Sequence, residues 1–142
     1  FFEQLKVLQP DLIVLSFGTN ESYGKLTNAE FMQQLSLFIT TVRKTNPDSP
    51  ILVVTPPASF LAHHKLNTIV DGYCTEMQKA AVKNQYSFYD LHASVGGMHG
   101  VEQNFRNGVI AADRVHYTVK GYQMQGNLIS DQIIQSFLNY NK

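Results

Sequence analysis

The stretch at residues 12–17 (LIVLSF) is the feature that most limits how this chain can fold. An almost unbroken apolar run without polar alternation predicts a strand over residues 11–17 that is buried on both faces, as in a parallel sheet. Two further short strands are predicted at residues 51–54 and 87–91. Because an apolar strand at an open sheet edge templates aggregation, we expect another strand to pair with residues 11–17.

Amphipathic helices are predicted between and around these strands. Apolar residues recur at helical spacing over residues 1–9, from a capping box at 27–30 to Asn46, over about 66–81, and after Thr118. A Gly-rich loop is predicted over about 92–112. The alternation of helices and strands implies right-handed βαβ units and a three-layer α/β/α fold with a parallel sheet.

Composition excludes several classes of protein. With 142 residues, 44% of them hydrophobic, the chain fits one compact domain or a large piece of one. Its formal net charge is zero, which argues against a nucleic-acid partner and a polybasic membrane patch. The longest apolar run is about seven residues, whereas a transmembrane segment needs roughly twenty. A single cysteine, Cys74, excludes an intrachain disulfide and a cysteine-based zinc site.

Two short motifs contain the candidate chemistry. Residues 18–21 (GTNE) directly follow the first strand, and residues 113–116 (DRVH) directly precede the last helix. Ligands of doubly wound sheets bind beyond the C-terminal ends of the strands, so we expect Asn20, Asp113 and His116 in one cleft. An amide donor, a histidine base and a carboxylate that fixes the histidine tautomer are groups that a serine esterase needs.

Each motif also has a simpler interpretation. The alternative for the block at 18–21 is a capped turn in which Asn20 or Glu21 forms a hydrogen bond with its own backbone. The alternative for the Asp-x-x-His block is a surface helix cap. For Glu21, a bond that braces the Asn20 loop is favoured over a role as general acid. For His92 and His99, a loop-stabilising role is favoured over substrate contact.

The chain offers no serine in a nucleophile motif. Ser22, Ser59 and Ser94 lie in loops predicted at the active edge of the sheet. None of them stands in a Gly-x-Ser-x-Gly or Gly-Asp-Ser context. The order of the two motifs and their placement at strand ends nevertheless raise the joint interpretation above either motif alone.

Together these blocks resemble the SGNH hydrolase superfamily, also called GDSL-type lipases and acylhydrolases. Residues 12–21 (LIVLSFGTNE) resemble its Gly-x-Asn-Asp block, with Glu21 in place of the usual Asp, and residues 113–122 (DRVHYTVKGY) resemble its Asp-x-x-His block. The segment at 89–91 (YDL) and the proline pair at 56–57 are similar as well. The resemblance covers essentially the whole chain and implies a flavodoxin-like α/β/α fold.

The resemblance also implies roles for individual residues. Asn20 would be an oxyanion donor, His116 the general base and Asp113 its orienting carboxylate. The Gly-Asp-Ser nucleophile block and the second glycine block of the family precede these motifs, so the nucleophile is expected upstream of Phe1. Residues 1–142 would then be the C-terminal part of a single domain whose N-terminal strands lie outside this chain. No metal and no organic cofactor are implied.

Details of the two blocks look most like the peptidoglycan O-acetylesterase branch of the superfamily. The implied function is a carboxylic ester hydrolase that deacetylates an O-acetylated carbohydrate such as peptidoglycan, in an extracytoplasmic (periplasmic or secreted) location. Its partners would be an O-acylated carbohydrate or other acyl-ester substrate and the N-terminal portion of the same protein, with no nucleic acid and no transmembrane segment. A lipase, thioesterase or O-acetyltransferase of the same fold, or a non-catalytic carbohydrate-binding module, is the alternative.

Overall fold

The structure is a computed structural model that describes residues 1–61, 64–84 and 86–140. Within these ranges helices alternate with strands along most of the chain. The elements are α1 (Phe2–Leu8), β1 (Ile13–Ser16), α2 (Thr19–Tyr23), α3 (Asn28–Thr45), β2 (Ile51–Val54), β3 (Phe60–Leu61), β4 (Lys65–Leu66), α4 (Thr68–Asn84), β5 (Ser87–Tyr89), α5 (Leu91–Ser94), α6 (Gly97–Arg106) and α7 (Val119–Tyr140).

The three predicted strands form one parallel sheet in the order β1-β2-β5. Ile13 lies opposite Ile51 in the first pair, and Leu52 lies opposite Ser87 in the second. The prediction that these strands are parallel neighbours is confirmed. The strands β3 and β4 form a separate antiparallel pair after the end of β2.

Helices cover both faces of the sheet, which confirms the predicted three-layer α/β/α fold. On one face, residues of α1, α3 and α4 pack against β1 and β2; the buried members are Leu5, Ile13, Leu15, Phe31, Leu35, Ile39, Val42, Ile51, Val53, Tyr73 and Met77. On the other face, α5 and α7 cover Leu52 and Val54; their residues there include Leu91, Leu128, Ile129 and Ile133. Area removed from water on both faces is the main stabilising contribution to this arrangement.

The expectation that the first strand is buried on both faces is wrong, because β1 is buried on one face only. Burial on both faces is found in β2 instead. All four residues of β2 are buried, whereas buried and exposed residues alternate along β1. Ile13 and Leu15 face the α3 layer, but the side chain of Val14 is 44% exposed. The reason is that α5 and α7 lie over β2, and β1 forms the edge of the three-stranded sheet.

The Gly-rich segment predicted as a loop over 92–112 contains two helices, α5 and α6, so that prediction is wrong. Asp90 caps α5 by accepting a hydrogen bond from the backbone N–H of Ala93 at 2.9 Å. Gly96 and Gly97, with φ of +95° and +54°, then turn the chain directly into α6. The glycines therefore mark a tight turn between short helices rather than a long loop.

The last helix begins as predicted. The Thr118 Oγ1 accepts a hydrogen bond from the backbone N–H of Gly121 at 3.2 Å, which caps α7. The end of α7 carries exposed apolar side chains, Phe137 among them. None of the helices in the described ranges is long and apolar enough to span a membrane.

Candidate active site

The first motif leaves the C-terminal end of β1 through a turn that requires glycine. Gly18 has φ of +123°, and a Cβ placed on it would lie 2.7 Å from the Cγ of Pro56. Its backbone N–H donates to the Glu21 Oε2 at 2.8 Å. Glu21 therefore braces the turn from which α2 starts, as the favoured interpretation of this residue predicts. The prediction that Ser22 lies in a loop is wrong, because α2 already begins at Thr19 and contains it.

The side chain of Asn20 is free to act on a ligand. Asn20 lies in the first turn of α2 and is exposed. Its backbone carbonyl accepts from the N–H of Gly24 at 3.1 Å, but no described residue forms a hydrogen bond with its side-chain amide. The simpler interpretation of the motif, a capped turn, holds for Glu21 and not for Asn20. An unengaged amide beyond a strand end is suited to donate to a developing oxyanion.

The structure brings the acid and the histidine of the second motif together. The His116 Nδ1 lies 2.8 Å from the Asp113 Oδ2. The other carboxylate oxygen, Oδ1, accepts from the backbone N–H groups of Val115 and His116, both at 2.9 Å. The His116 side chain is 66% exposed and the Asp113 side chain 50% exposed. The carboxylate is thus oriented by backbone, while the imidazole remains open to a reactant.

These hydrogen bonds favour the ionised form of Asp113. The bond from His116, followed by those from the backbone N–H groups of Val115 and His116, lowers the pKa of Asp113 to about 2. Asp113 is therefore ionised wherever a histidine titrates, and an ionised carboxylate only accepts hydrogen bonds. Neutral His116 then carries its proton on Nδ1, and Nε2 keeps the lone pair that a general base needs.

The segment that follows β2 ties the two motifs to each other. The backbone N–H of Phe60 donates to the carbonyl of Arg114 at 3.0 Å, and the Tyr117 hydroxyl donates to the carbonyl of Ala58 at 2.7 Å. The carbonyl of Phe60 accepts from the hydroxyl of Tyr23 in α2. One peptide segment, between Ala58 and Phe60, therefore anchors both α2 and the turn that carries Asp113 and His116.

Two of the three serines considered as nucleophiles are buried structural residues. Ser22 and Ser59 are 0% and 1% exposed. The Asn67 Nδ2 donates to the Ser22 Oγ at 2.8 Å and lies 3.5 Å from the Ser59 Oγ, so these side chains form an internal polar cluster. Ser94 is exposed, and its hydroxyl donates to the carbonyl of Asp90 at 2.7 Å, one helical turn earlier.

A polar network at the ends of β2 and β5 was not singled out by sequence reasoning. The Thr55 Oγ1 donates to the Asp90 Oδ1 at 3.1 Å and accepts from the backbone N–H of His92 at 2.9 Å. The His92 ring is buried, with Nε2 3.4 Å from the Asp71 Oδ1. His92 lies in α5 rather than in a loop, and neither ring nitrogen forms a hydrogen bond with a described residue, so the stabilising role favoured for it stays a prediction. The signal in the sequence is Asp90 itself, an acid near the end of the strand predicted at 87–91.

Metal binding has no support among the residues with described placements. Across 1–61, 64–84 and 86–140, no group of three or more His, Cys, Asp or Glu side chains could hold a metal ion. Cys74 is buried, and burial raises the pKa of its thiol to about 12, so it is not a thiolate ligand or nucleophile at neutral pH.

Comparison with known families identifies the chain. The family model of GDSL-like lipases and acylhydrolases matches residues 1–124, a span that contains both motifs. The chain belongs to the GDSL-like lipase/acylhydrolase family. The resemblance inferred from the blocks at 12–21 and 113–122 is thereby confirmed, and the α/β fold agrees with it.

Solved structures of several esterases resemble this GDSL-like chain. A peptidoglycan O-acetylesterase superposes with a TM-score of 0.76 at 23% identity, covering 94% of this chain and 40% of that one. A carbohydrate esterase family 3 protein from Talaromyces cellulolyticus gives 0.71 at 19% identity, covering 95% and 62%. The M. Smegmatis aryl esterase gives 0.68 at 19% identity, covering 94% and 65%.

At these identities the likeness shows the fold, and the GDSL-like chain spans between 40% and 65% of the length of those three structures. No curated protein matches the chain by sequence.

Proposed function

We propose that this chain supplies the base, its orienting carboxylate and one oxyanion donor of a serine esterase. The observation that carries the proposal is the 2.8 Å contact between the His116 Nδ1 and the Asp113 Oδ2, in a turn anchored to the same segment as α2. Membership of the GDSL-like lipase/acylhydrolase family supports ester hydrolysis as the reaction. The exposed amide of Asn20 supports its role as donor to the oxyanion.

In the proposed mechanism a serine hydroxyl attacks the acyl carbonyl while His116 Nε2 takes the hydroxyl proton. The ionised Asp113 stabilises the imidazolium, and the amide of Asn20 donates to the oxyanion of the tetrahedral intermediate. His116 then gives the proton to the departing alcohol, which leaves an acyl-enzyme. In the second half, His116 takes a proton from water as the water oxygen attacks the acyl carbon, and it passes this proton to the serine oxygen when the acid leaves.

The nucleophilic serine of this mechanism lies upstream of Phe1. Burial of Ser22 and Ser59 supports this assignment, as does the partial span of the chain against its structural relatives. Residues 1–142 are then the C-terminal part of a single domain. Upstream strands would pair with the free edge of β1 and cover the exposed side chain of Val14.

The proposed substrate is an O-acetylated carbohydrate, with peptidoglycan as the leading example. A peptidoglycan O-acetylesterase and a carbohydrate esterase family 3 protein are among the structures that this chain resembles. Because peptidoglycan lies outside the cytoplasmic membrane, the proposed location is extracytoplasmic.

Two measurements on the protein with its upstream segment test this function. A fluorophosphonate reagent followed by peptide mapping should label one serine upstream of Phe1. Acetate release from O-acetylated peptidoglycan should exceed hydrolysis of long-chain acyl esters. Preference for long-chain esters would favour a lipase, and acetyl transfer to a sugar acceptor without acetate release would favour an acetyltransferase. A folded protein that neither reacts with the reagent nor turns over any ester would indicate a non-catalytic binding module.

A further inference from the structure

Arg114 lies between the acid and the histidine in sequence, yet its side chain packs on a different set of residues. The guanidinium carbon lies 4.0 Å from the ring centroid of Phe105 and 4.9 Å from that of Phe60. Its Nη1 lies 3.9 Å from the Glu102 Oε1, and the side chain is only 19% exposed. Phe60 and Phe105 are separated by more than forty residues in sequence, so both rings reach the guanidinium only in the folded chain. We call these two ring contacts of Arg114 the clamp.

The backbone of Arg114 adopts a conformation that needs such support. Its φ is +62°, in the left-handed region that side chains without local hydrogen bonding rarely occupy. The turn is closed by its N–H, which donates to the carbonyl of Ala111 at 2.9 Å. The left-handed residue reverses the chain so that the N–H groups of Val115 and His116 both reach the Asp113 Oδ1. Strained conformations persist where their surroundings hold them.

We propose that Arg114 is a positioning residue whose guanidinium, packed against the rings of both Phe60 and Phe105, fixes the turn that aligns the Asp113 carboxylate with His116. The proposal rests on the function proposed above for the acid and the histidine. Glycine would adopt the same φ without strain but would leave the turn without an anchor. Lysine would keep the charge but lose the broad planar group that contacts both rings.

The clamp also sets the position of the histidine relative to Asn20. Phe60 contacts the Arg114 guanidinium with its ring and binds the Arg114 carbonyl with its N–H, while its own carbonyl accepts from Tyr23 of α2. Phe60 therefore contacts both Arg114 and α2, the helix that contains Asn20. Loss of the clamp should lower the rate of the chemical step more than it weakens substrate binding.

Three variants of the protein with its upstream segment separate the side chain from the backbone. Arg114→Gly removes the clamp and relieves the left-handed strain, so it should still fold. Arg114→Lys keeps the charge without the planar stack. Arg106→Gln removes one exposed cation from the last turn of α6 and is the control. Circular dichroism of each variant establishes that the comparison is made between folded proteins.

The first readout does not depend on activity. In protein labelled with ¹⁵N-histidine, the downfield proton resonance of the His116 Nδ1–H reports its hydrogen bond to Asp113. We expect this resonance to weaken or disappear in Arg114→Gly, to be partly retained in Arg114→Lys, and to match wild type in Arg106→Gln. This readout tests the positioning role even if the wild-type protein hydrolyses no ester, an outcome that would overturn the proposed function alone.

The second readout is steady-state hydrolysis of an aryl acetate. We expect Arg114→Gly to lower kcat about 10- to 100-fold, the range that misplacement of catalytic groups produces, with KM within about twofold of wild type. The kcat of Arg114→Lys should lie between those of Arg114→Gly and wild type, and the kcat of Arg106→Gln should match wild type. Arg114→Gly with a wild-type kcat and a wild-type His116 resonance would overturn the proposal, because the turn would then need no anchor.

Discussion

Asp113 holds His116 with one carboxylate oxygen and the backbone with the other. The Oδ2 lies 2.8 Å from the His116 Nδ1, and Oδ1 accepts from two backbone N–H groups of the same turn. The carboxylate therefore cannot rotate away from the imidazole without losing its backbone bonds. This rigidity is what an orienting residue contributes to a base, since it fixes the tautomer and the ring plane together.

In a longer protein that contains the proposed upstream serine, Asp113→Asn should lower kcat for an aryl acetate by up to about 10⁴-fold, as for loss of an orienting aspartate. The amide cannot reproduce an ionised acceptor for the Nδ1 proton, so the wrong tautomer becomes accessible. The matched control is Asp131→Asn, at an exposed position on α7. Equal kcat values for the two variants would contradict the role of Asp113.

The low pKa of Asp113 predicts how stability depends on pH. A carboxyl group whose pKa falls from about 3.9 when unfolded to about 2 when folded stabilises the native state above the unfolded value. That contribution is lost as pH falls from about 4 towards 2. Because the side chain is 50% exposed, solvent screening keeps it small. The melting temperature of wild type should therefore fall more steeply than that of Asp113→Asn as the pH is lowered over this interval. Parallel plots of melting temperature against pH would argue against the lowered pKa.

Asn20→Ala should lower kcat by about 10²- to 10³-fold, as for loss of one oxyanion donor, with little change in melting temperature. The fold is spared because the Asn20 side chain is exposed and forms no hydrogen bond with a described residue. Asn127→Ala, at an exposed site on α7, serves as the control. A change in KM with unaltered kcat would instead indicate that Asn20 only binds substrate.

Gly18→Ala should destabilise the fold more than Gly108→Ala. Both glycines have positive φ, but a Cβ on Gly18 meets the Pro56 Cγ at 2.7 Å, whereas a Cβ on Gly108 meets nothing within 4 Å. Gly108→Ala, which has open space for its Cβ, should lower the free energy of unfolding by about 1–2 kcal/mol through backbone strain alone. Chemical denaturation of both variants measures the combined extra cost of the clash and of the less accessible φ at Gly18, and equal losses would show that the turn at Gly18 can shift.

Because β1 has a free edge, Val14→Lys should have opposite effects in residues 1–142 alone and in the longer protein. Expressed alone, residues 1–142 should be inactive and self-associate, and Val14→Lys should reduce that association by placing a charge on the edge strand. In the protein with its upstream segment, the same change should destabilise by a few kcal/mol, because Val14 would be covered there. Val82→Lys, at a 79% exposed site on α4, should be neutral in both. Size-exclusion chromatography and thermal melting separate these outcomes, and a monodisperse, active segment would contradict the account.

The strands and the larger helices could be predicted from sequence because parallel strands and amphipathic helices have distinct apolar patterns. The bounds were less predictable. The first strand is hydrogen-bonded only over Ile13–Ser16 rather than 11–17, and the third ends at Tyr89 because Asp90 already caps the next helix. The helices α5 and α6 were missed because glycines at their junction are also typical of loops.

The site was predictable only where its parts are close in sequence. The spacing of Asp113 and His116 places both side chains on one turn, and the structure brings them together. The clamp around Arg114 depends on Phe60 and Phe105, which reach it from other elements. A single sequence contains no signal for such long-range contacts.

The most direct test of the central claim is the rate of acetyl-ester hydrolysis by His116→Ala in the protein with its upstream segment. His99→Ala is the control, since His99 is an exposed histidine on α6. We expect His116→Ala to lose nearly all activity at an almost unchanged melting temperature, because the 66% exposed ring contributes little to the core. His99→Ala should keep the wild-type kcat. Wild-type turnover by a homogeneous sample of His116→Ala would contradict the central claim.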